Sequence, residues 1–115
     1  MNKQRREILN AILDGLEKLR DPVGKETALS ILQDAQDKVE QCADEEEAAL
    51  DNRPESFRWS AENDAMSDNI ADLTDTGSDL EILIDRCQNI EMYDYGLIKS
   101  DIINIVNTIK KTIHR

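Results

Sequence analysis

The chain has 115 residues, of which 25 are Asp or Glu and 14 are Lys or Arg, giving a formal net charge of −11 and an aromatic content of only 3%. This length supports one domain, residues 1–115, and excludes a second independent core. With 39% hydrophobic residues in periodic stretches, the chain is too apolar for a disordered acidic tail and too poor in aromatic residues for a typical β-sandwich. Few Gly and Pro residues leave few turns, so we predict a mostly helical domain with long elements.

The first two helices are predicted from apolar periodicity and from proline. The first covers residues 2–20, where apolar residues recur at steps of three and four. Asp21-Pro22 then offers an N-cap and a proline at the first helical position, so the second helix is predicted over residues 22–51. Its apolar seam is rich in small residues and is interrupted by Glu46. Asn52-Arg53-Pro54 ends this helix, because proline cannot donate the next backbone hydrogen bond.

The third helix is predicted to begin after Ser60, a good N-cap, and to continue unbroken through Gly77 because its apolar repeat keeps its phase there. Tyr95-Gly96 marks a turn, and regularly spaced isoleucines predict a fourth helix over residues 97–113. Sequential helices joined by short loops pack as antiparallel neighbours. The sequence therefore predicts an all-α, antiparallel up-down four-helix bundle, in which the two longest helices form a long projecting acidic hairpin.

Negative charge is concentrated in the middle of the chain. Residues 34–85, called the acidic segment below, hold 17 acidic and three basic residues, a net charge of −14, while the rest of the chain sums to +3. Five aspartates of the third helix cluster about 150° from its apolar seam: Asp64, Asp68, Asp72, Asp75 and Asp79. Such charge repels nucleic acid and anionic membranes, so neither is an expected direct partner. A basic protein surface is the expected partner, although an acidic helix face can also serve solubility alone.

Residues suited to catalysis are few. The only histidine is His114, near the end of the chain, and no glycine-rich nucleotide-binding motif occurs, so we expect no enzymatic activity, no cofactor and no metal site. Cys42 and Cys87 are predicted to lie about 27 Å apart along the hairpin, buried and unbridged. One enzymatic alternative remains open, a magnesium-dependent all-α nucleotide pyrophosphatase that would use carboxylates of the second helix: Asp34, Asp37, Glu40 and Asp44.

The loop between the two acidic helices has an unusual composition. It contains the only Phe, the only Trp and two of the three bases of the acidic segment. Trp and Arg are enriched at interface hot spots. We favour an arrangement in which the two aromatic rings fold back and plug the end of the bundle, since a lone aromatic in such a loop more often covers a core. In the alternative, the loop is exposed and supplies specificity contacts beside acidic residues of the second helix: Arg53, Phe57, Arg58 and Trp59, with Asp44, Glu45 and Glu47.

The run Asp44–Ser56, DEEEAALDNRPES, is followed by a second acidic amphipathic helix. This pattern resembles a group of small acidic helical proteins of bacteriophages and prophages, which have a D-N-x-P-E-S turn between two acidic helices. The match covers about residues 37–85 and departs from the pattern at Arg53, where an apolar residue is usual, and at Phe57-Arg58-Trp59. The resemblance implies a phage or mobile-element origin and transfers no catalytic residue. Because the chain shows no long apolar run and no signal-peptide core, we expect it in the cytoplasm of the bacterial host.

These features together predict a non-enzymatic, acidic binding protein. The leading hypothesis is a phage anti-defence inhibitor, anti-CRISPR-like or similar, that acts as a DNA mimic in a basic nucleic-acid-binding groove of a host protein. The alternatives are an immunity or antitoxin-like protein that neutralises a basic toxin, and a structural or assembly protein. A homodimer is also expected, because the regular seam of the third helix, the isoleucine-rich fourth helix and the segregated charge permit self-association.

Overall fold

A computed structural model describes all 115 residues and contains helices but no strand. Short 3-10 turns follow the first helix at Lys18–Arg20 and lie between the second and third helices at Glu55–Phe57. The all-α class predicted from periodicity is confirmed. The four α-helices are α1 (Lys3–Glu17), α2 (Lys25–Asp51), α3 (Ala61–Gln88) and α4 (Tyr95–Ile113).

The four helices run up and down around one core, as predicted. Each helix packs on the next one in the chain, and α1 packs on α4 to close the bundle. Lys25 at the start of α2 donates to the carbonyl of Gln88 at the end of α3, with an Nζ to O distance of 2.8 Å. Tyr93, just before α4, donates its hydroxyl proton to the carbonyl of Leu19, 2.8 Å away, at the end of the first helical segment. These contacts place sequential helices antiparallel in a rod of 54 × 21 × 20 Å.

Two predicted helix starts are wrong. The second helix begins at Lys25 after Gly24, whereas Asp21 is extended and closes the preceding 3-10 turn. Residues 21–24 are needed as a linker, because Leu19 is buried and Val23 packs against the same core while the chain reverses direction. The predicted turn at Tyr95-Gly96 is the first turn of α4, because the Asp94 side chain accepts the Gly96 N–H at 2.9 Å and caps the helix.

The third helix agrees with its prediction. Ser60 is its N-cap, and its hydroxyl oxygen accepts the Asn63 N–H at 3.1 Å. The helix continues through Gly77, which is buried where α3 meets α2. A methyl group at Gly77 would lie 3.6 Å from Glu40 Cγ and 3.9 Å from Val39 Cγ1, which is ordinary van der Waals contact. Most of the apolar repeat that carried the prediction is buried in the bundle, so packing keeps the helix continuous through this glycine.

The hairpin of α2 and α3 extends past the other helices. It is built from helices of 27 and 28 residues, against 15 in α1 and 19 in α4. Arg5, near the start of α1, reaches Glu46, and Arg115, at the end of the chain, reaches Asn69. Residues 47–68 therefore project beyond the level at which α1 begins and the chain ends, as the helix lengths predicted.

Candidate functional site: an acidic hairpin with an exposed aromatic tip

The tip of the hairpin, residues 52–60, is a compact turn held by its own backbone. Pro54 follows the last turn of α2 and starts a 3-10 turn, in which Phe57 N donates to Pro54 O at 3.0 Å and Arg58 N donates to Glu55 O at 3.0 Å. Ser60 N then donates to Phe57 O at 2.9 Å before its side chain caps α3. These local hydrogen bonds fix the directions in which the tip side chains leave the backbone.

The aromatic side chains of the tip face solvent. Trp59 is 86% exposed and Phe57 is 46% exposed. The favoured prediction, that they plug the end of the bundle, is wrong. That prediction requires a hydrophobic core at the end of the hairpin. However, α1 and α4 do not reach the tip, and the buried residue of α3 nearest to the tip is Met66. The tip therefore has no core beneath it for the rings to cover.

Arginine side chains stack on both rings. The Arg53 guanidinium lies 5.0 Å from the Phe57 ring centroid, and the Arg58 guanidinium lies 5.2 Å from the ring of Trp59. Arg53 also pairs with Glu62 at 3.2 Å, and its side chain is only 21% exposed. Arg58 is exposed and makes no ion pair within the chain. Of the four predicted specificity contacts, Phe57, Arg58 and Trp59 are thus available to a partner, whereas Arg53 mainly holds the turn together.

Four of the five predicted aspartates form an exposed row along α3. Their carboxylates make no ion pair and no hydrogen bond within the chain. The fifth, Asp72, is only 23% exposed and pairs with Arg115 at 2.6 Å. We call the row of four the aspartate row: Asp64, Asp68, Asp75 and Asp79. It covers 15 residue steps, or about 22 Å of helix.

The acidic residues of α2 near the tip divide into two groups. Asp44 and Glu47 are exposed, as expected for a partner surface. Glu45 is half-buried and accepts a hydrogen bond from Gln41 at 3.3 Å. Glu46 is fully buried and points into the bundle. The apolar seam of α2 is therefore interrupted by a carboxylate that has a structural role.

Glu46 is the centre of a polar network that joins three helices and the end of the chain. One carboxylate oxygen accepts from Arg5 at 3.2 Å, and the other accepts from the Asn69 amide at 3.0 Å. Asn69 in turn accepts from Arg115 at 3.0 Å, which also holds Asp72. Asn69 is only 2% exposed. Each side chain of this network has at least one hydrogen-bonding partner, which offsets the cost of burial, while Arg5 Nε is buried without one.

The carboxylates of the pyrophosphatase alternative are mostly engaged within α2. Asp34 pairs with Lys38 at 2.9 Å, Asp37 accepts from Gln33 at 3.1 Å, and Glu40 accepts from Gln36 at 3.2 Å. No three His, Cys, Asp or Glu side chains come together in a metal-binding arrangement. The predicted ligand set on α2 is therefore not assembled into a site.

Both cysteines are free and buried, as predicted. Burial raises the pKa of the Cys42 thiol to about 11, and its Sγ atom, the donor, lies 3.9 Å from the carbonyl oxygen of Arg5. Burial also raises the pKa of the Cys87 thiol. Because the thiolate is the reactive form, both thiols are poor nucleophiles at neutral pH.

Comparison with known proteins gives no assignment: no family model, no curated protein and no solved structure matches this chain. None of the four helices has both the length and the apolar composition needed to cross a bilayer. The geometry of the acidic hairpin and its tip is therefore the basis for a functional assignment.

Proposed function

We propose that this protein is a non-enzymatic, stoichiometric inhibitor that occupies the basic nucleic-acid-binding groove of a host protein, as a phage anti-defence protein would. The observation that carries the proposal is the aspartate row, four exposed carboxylates without partners along one helix. Nothing within the chain neutralises these charges, so they are available to cations on another molecule.

The charge density of the hairpin supports mimicry of a nucleic-acid strand. The acidic segment has a net charge of −14, and two of its carboxylates are neutralised from outside it, by Arg5 and Arg115. The remaining charge of about −12 is shared by both helices and the tip of the hairpin, whose longer helix has 28 residues, or about 42 Å, so the hairpin as a whole carries roughly one charge per 3.5 Å of its length. A single nucleic-acid strand carries one phosphate per about 3.4 Å. A groove lined with Lys and Arg would therefore meet a similar density of negative charge.

The exposed tip can add an apolar contact to the charge interactions of the aspartate row. An exposed tryptophan of about 250 Å² contributes roughly 6 kcal/mol of gross hydrophobic free energy when a partner covers it, at about 25 cal/mol per Å². After the costs of association, truncation of such a residue at the centre of an interface typically costs about 2 kcal/mol or more. Trp59, with Arg58 stacked on it, is the residue of this chain best placed for that role.

The proposal predicts fast association that depends on salt. Complementary charge raises association rate constants from about 10⁶ toward about 10⁸ M⁻¹s⁻¹ at low salt, while dissociation depends mainly on close contacts. Replacing carboxylates of the aspartate row should thus slow association, and replacing Trp59 should speed dissociation. These two kinetic effects separate the role of the row from that of the tip.

The test is capture of host proteins by three versions of the full chain, followed by kinetics with the captured protein. The row variant is Asp64→Asn, Asp68→Asn and Asp75→Asn. Its matched control removes three exposed carboxylates that lie outside the acidic segment and have no ion pair: Asp14→Asn, Glu26→Gln and Glu91→Gln. Both variants have the same net charge, so only their placement differs.

We expect wild type and control to capture the same nucleic-acid-binding protein, and the row variant to associate with it about tenfold more slowly at low salt. Equal association by all three proteins would contradict the proposal. Capture of a small basic toxin encoded beside this protein would favour the immunity alternative instead.

A further inference from the structure

A shallow groove of about 180 Å³ lies between α1 and α4, on the part of the bundle far from the tip. Its floor is apolar and includes Leu16, Ile102 and Val106, and Ile103 at its edge is 40% exposed. Glu17, Arg20 and Lys110 also line this groove, and Arg20 pairs with Glu17 at 3.2 Å. Lys99 lines an adjoining depression that shares Ile103. The groove is therefore an apolar site beside two unpaired cations, Lys99 and Lys110, in a protein whose net charge is negative.

The opposite pattern occurs on α3. Ile82 is 61% exposed, although it is a large aliphatic residue in the middle of a helix. The nearest acidic residues along the helix, Asp79, Glu81 and Asp85, are all exposed and have no ion pair. Arg86 does not offset them, because it pairs with Asp101. Ile82 is thus an apolar knob surrounded by three carboxylates.

We propose that a second copy of this chain docks through these two surfaces, with Ile82 of one protomer entering the groove beside Ile103 of its partner. A groove of about 180 Å³ can take one branched side chain, and helices commonly bind by placing apolar anchors in such grooves. The carboxylates around Ile82 would face the two exposed, unpaired cations Lys99 and Lys110. The regular seam of α3 cannot serve as the contact, because it is buried inside the bundle.

The position of the two surfaces determines the form of the assembly. Ile82 lies between two depressions: one faces α4 and is lined by Asp101 and Asn104, and the other faces α2 and is lined by Gln33 and Gln36. The groove that would receive Ile82 lies elsewhere, between α1 and α4. Knob and groove are therefore different surfaces, and their contact is head-to-tail. Each added copy leaves one knob and one groove free until a ring closes, so association continues beyond two copies as concentration rises.

The net charge of −11 on each copy opposes association, but its range is limited. At about 0.15 M salt the Debye length is about 8 Å, so the charges at the contact dominate over those at the distant tip. The contact shares Asp79 with the aspartate row, but it uses neither the tip nor the three aspartates that the row variant replaces. Its failure would leave the proposed inhibitor function untouched, and the reverse also holds.

The experiment measures the mass of the full-length chain by light scattering and sedimentation from about 1 µM to about 1 mM at about 0.15 M salt. Wild type should grow in mass with concentration beyond two copies. Ile82→Asp, which lacks the knob, and Ile103→Asp, which lacks the groove, should each stay at 13.1 kDa. An equimolar mixture of the two should form a 1:1 dimer and nothing larger, because only one intact knob and one intact groove can meet.

Charge reversal gives a second set of variants at exposed positions, for which folding is not at risk. Lys99→Glu with Lys110→Glu should weaken association at least tenfold, and adding Glu81→Lys with Asp85→Lys to the same chain should restore it. A wild type that stays at 13.1 kDa throughout, a mixture of Ile82→Asp and Ile103→Asp that stays monomeric, or reversed-charge variants that associate like wild type would each overturn the proposal.

Discussion

The buried Glu46 carboxylate predicts that replacing its ion-pair partner, Arg5, will destabilise the bundle. Glu46 is fully buried, and the Arg5 side chain that pairs with it is only 12% exposed. Arg5→Met keeps the unbranched stem of the side chain and removes the guanidinium with its charge. The carboxylate is then left buried with Asn69 as its only partner. Removing one partner of a buried ion pair costs about 3–5 kcal/mol, and the partial exposure of Arg5 places this case near the lower end, at about 3 kcal/mol.

That loss is large for a chain of this size. At about 0.05–0.15 kcal/mol per residue, the free energy of unfolding of 115 residues is about 6–17 kcal/mol. With an unfolding entropy of about 2.1 cal/mol/K per residue, a loss of 3 kcal/mol lowers Tm by about 12 °C. Urea unfolding followed by helical circular dichroism should show a lower midpoint with an unchanged m value.

A second substitution tests the physical cause. Glu46→Gln removes the buried charge but keeps the size of the side chain and an oxygen that can accept from Asn69. Arg5→Met with Glu46→Gln should therefore be more stable than Arg5→Met alone by about 1–2 kcal/mol, a clear departure from additivity. A loss below about 1 kcal/mol in Arg5→Met, or strictly additive effects in the double variant, would refute the idea that Arg5 compensates a buried charge.

Three further predictions concern a glycine, a tryptophan and a cysteine. Gly77→Ala should raise the free energy of unfolding by about 0.5–1 kcal/mol in urea titrations, because an interior glycine weakens a helix and the added methyl makes only ordinary contact with Glu40. The control is Gly15→Ala, whose added methyl would have no atom within 4 Å. A destabilised Gly77→Ala would show that α2 and α3 are too close to accept the methyl group. Trp59→Ala should change stability by less than about 0.5 kcal/mol, because the side chain is 86% exposed; a larger thermal shift would mean that the ring packs on the hairpin. The pKa of the Cys42 thiol is raised from 9.0 to about 11, so the unfolded chain loses this proton at a lower pH than the folded chain does. The free energy of unfolding should therefore fall as pH rises from 9 toward 11, and this fall should be smaller in Cys42→Ala. Equal pH profiles for the two proteins would contradict the shift.

The helices were predictable where a local pattern determines the structure. Ser60 marks the start of α3 because its side chain caps the helix, and Gly77 does not break it because the apolar repeat on both sides is buried. The start of α2 was not predictable from Asp21-Pro22. A favourable local cap there is overridden by the need for a linker that lets Leu19 and Val23 reach the same core.

The candidate site was predictable only in its periodic part. Helical spacing correctly placed four aspartates on an exposed face, but Asp72 is neutralised by Arg115, 43 positions away in the sequence. Glu46 likewise finds Arg5 and Asn69 at separations of 41 and 23 residues. The exposure of Trp59 depends on where α1 and the chain end lie relative to the tip. These facts belong to the tertiary arrangement, and no pattern within a single helix encodes them.

The central claim, that the acidic hairpin occupies a nucleic-acid-binding groove, is tested most directly by competition. The captured partner would be loaded with a labelled oligonucleotide that it binds, and this protein would be titrated in while the bound oligonucleotide is measured by fluorescence anisotropy. We predict complete release at one equivalent of this protein, with the row variant needing a much higher concentration than its matched control. A stable ternary complex of partner, oligonucleotide and this protein would contradict the account.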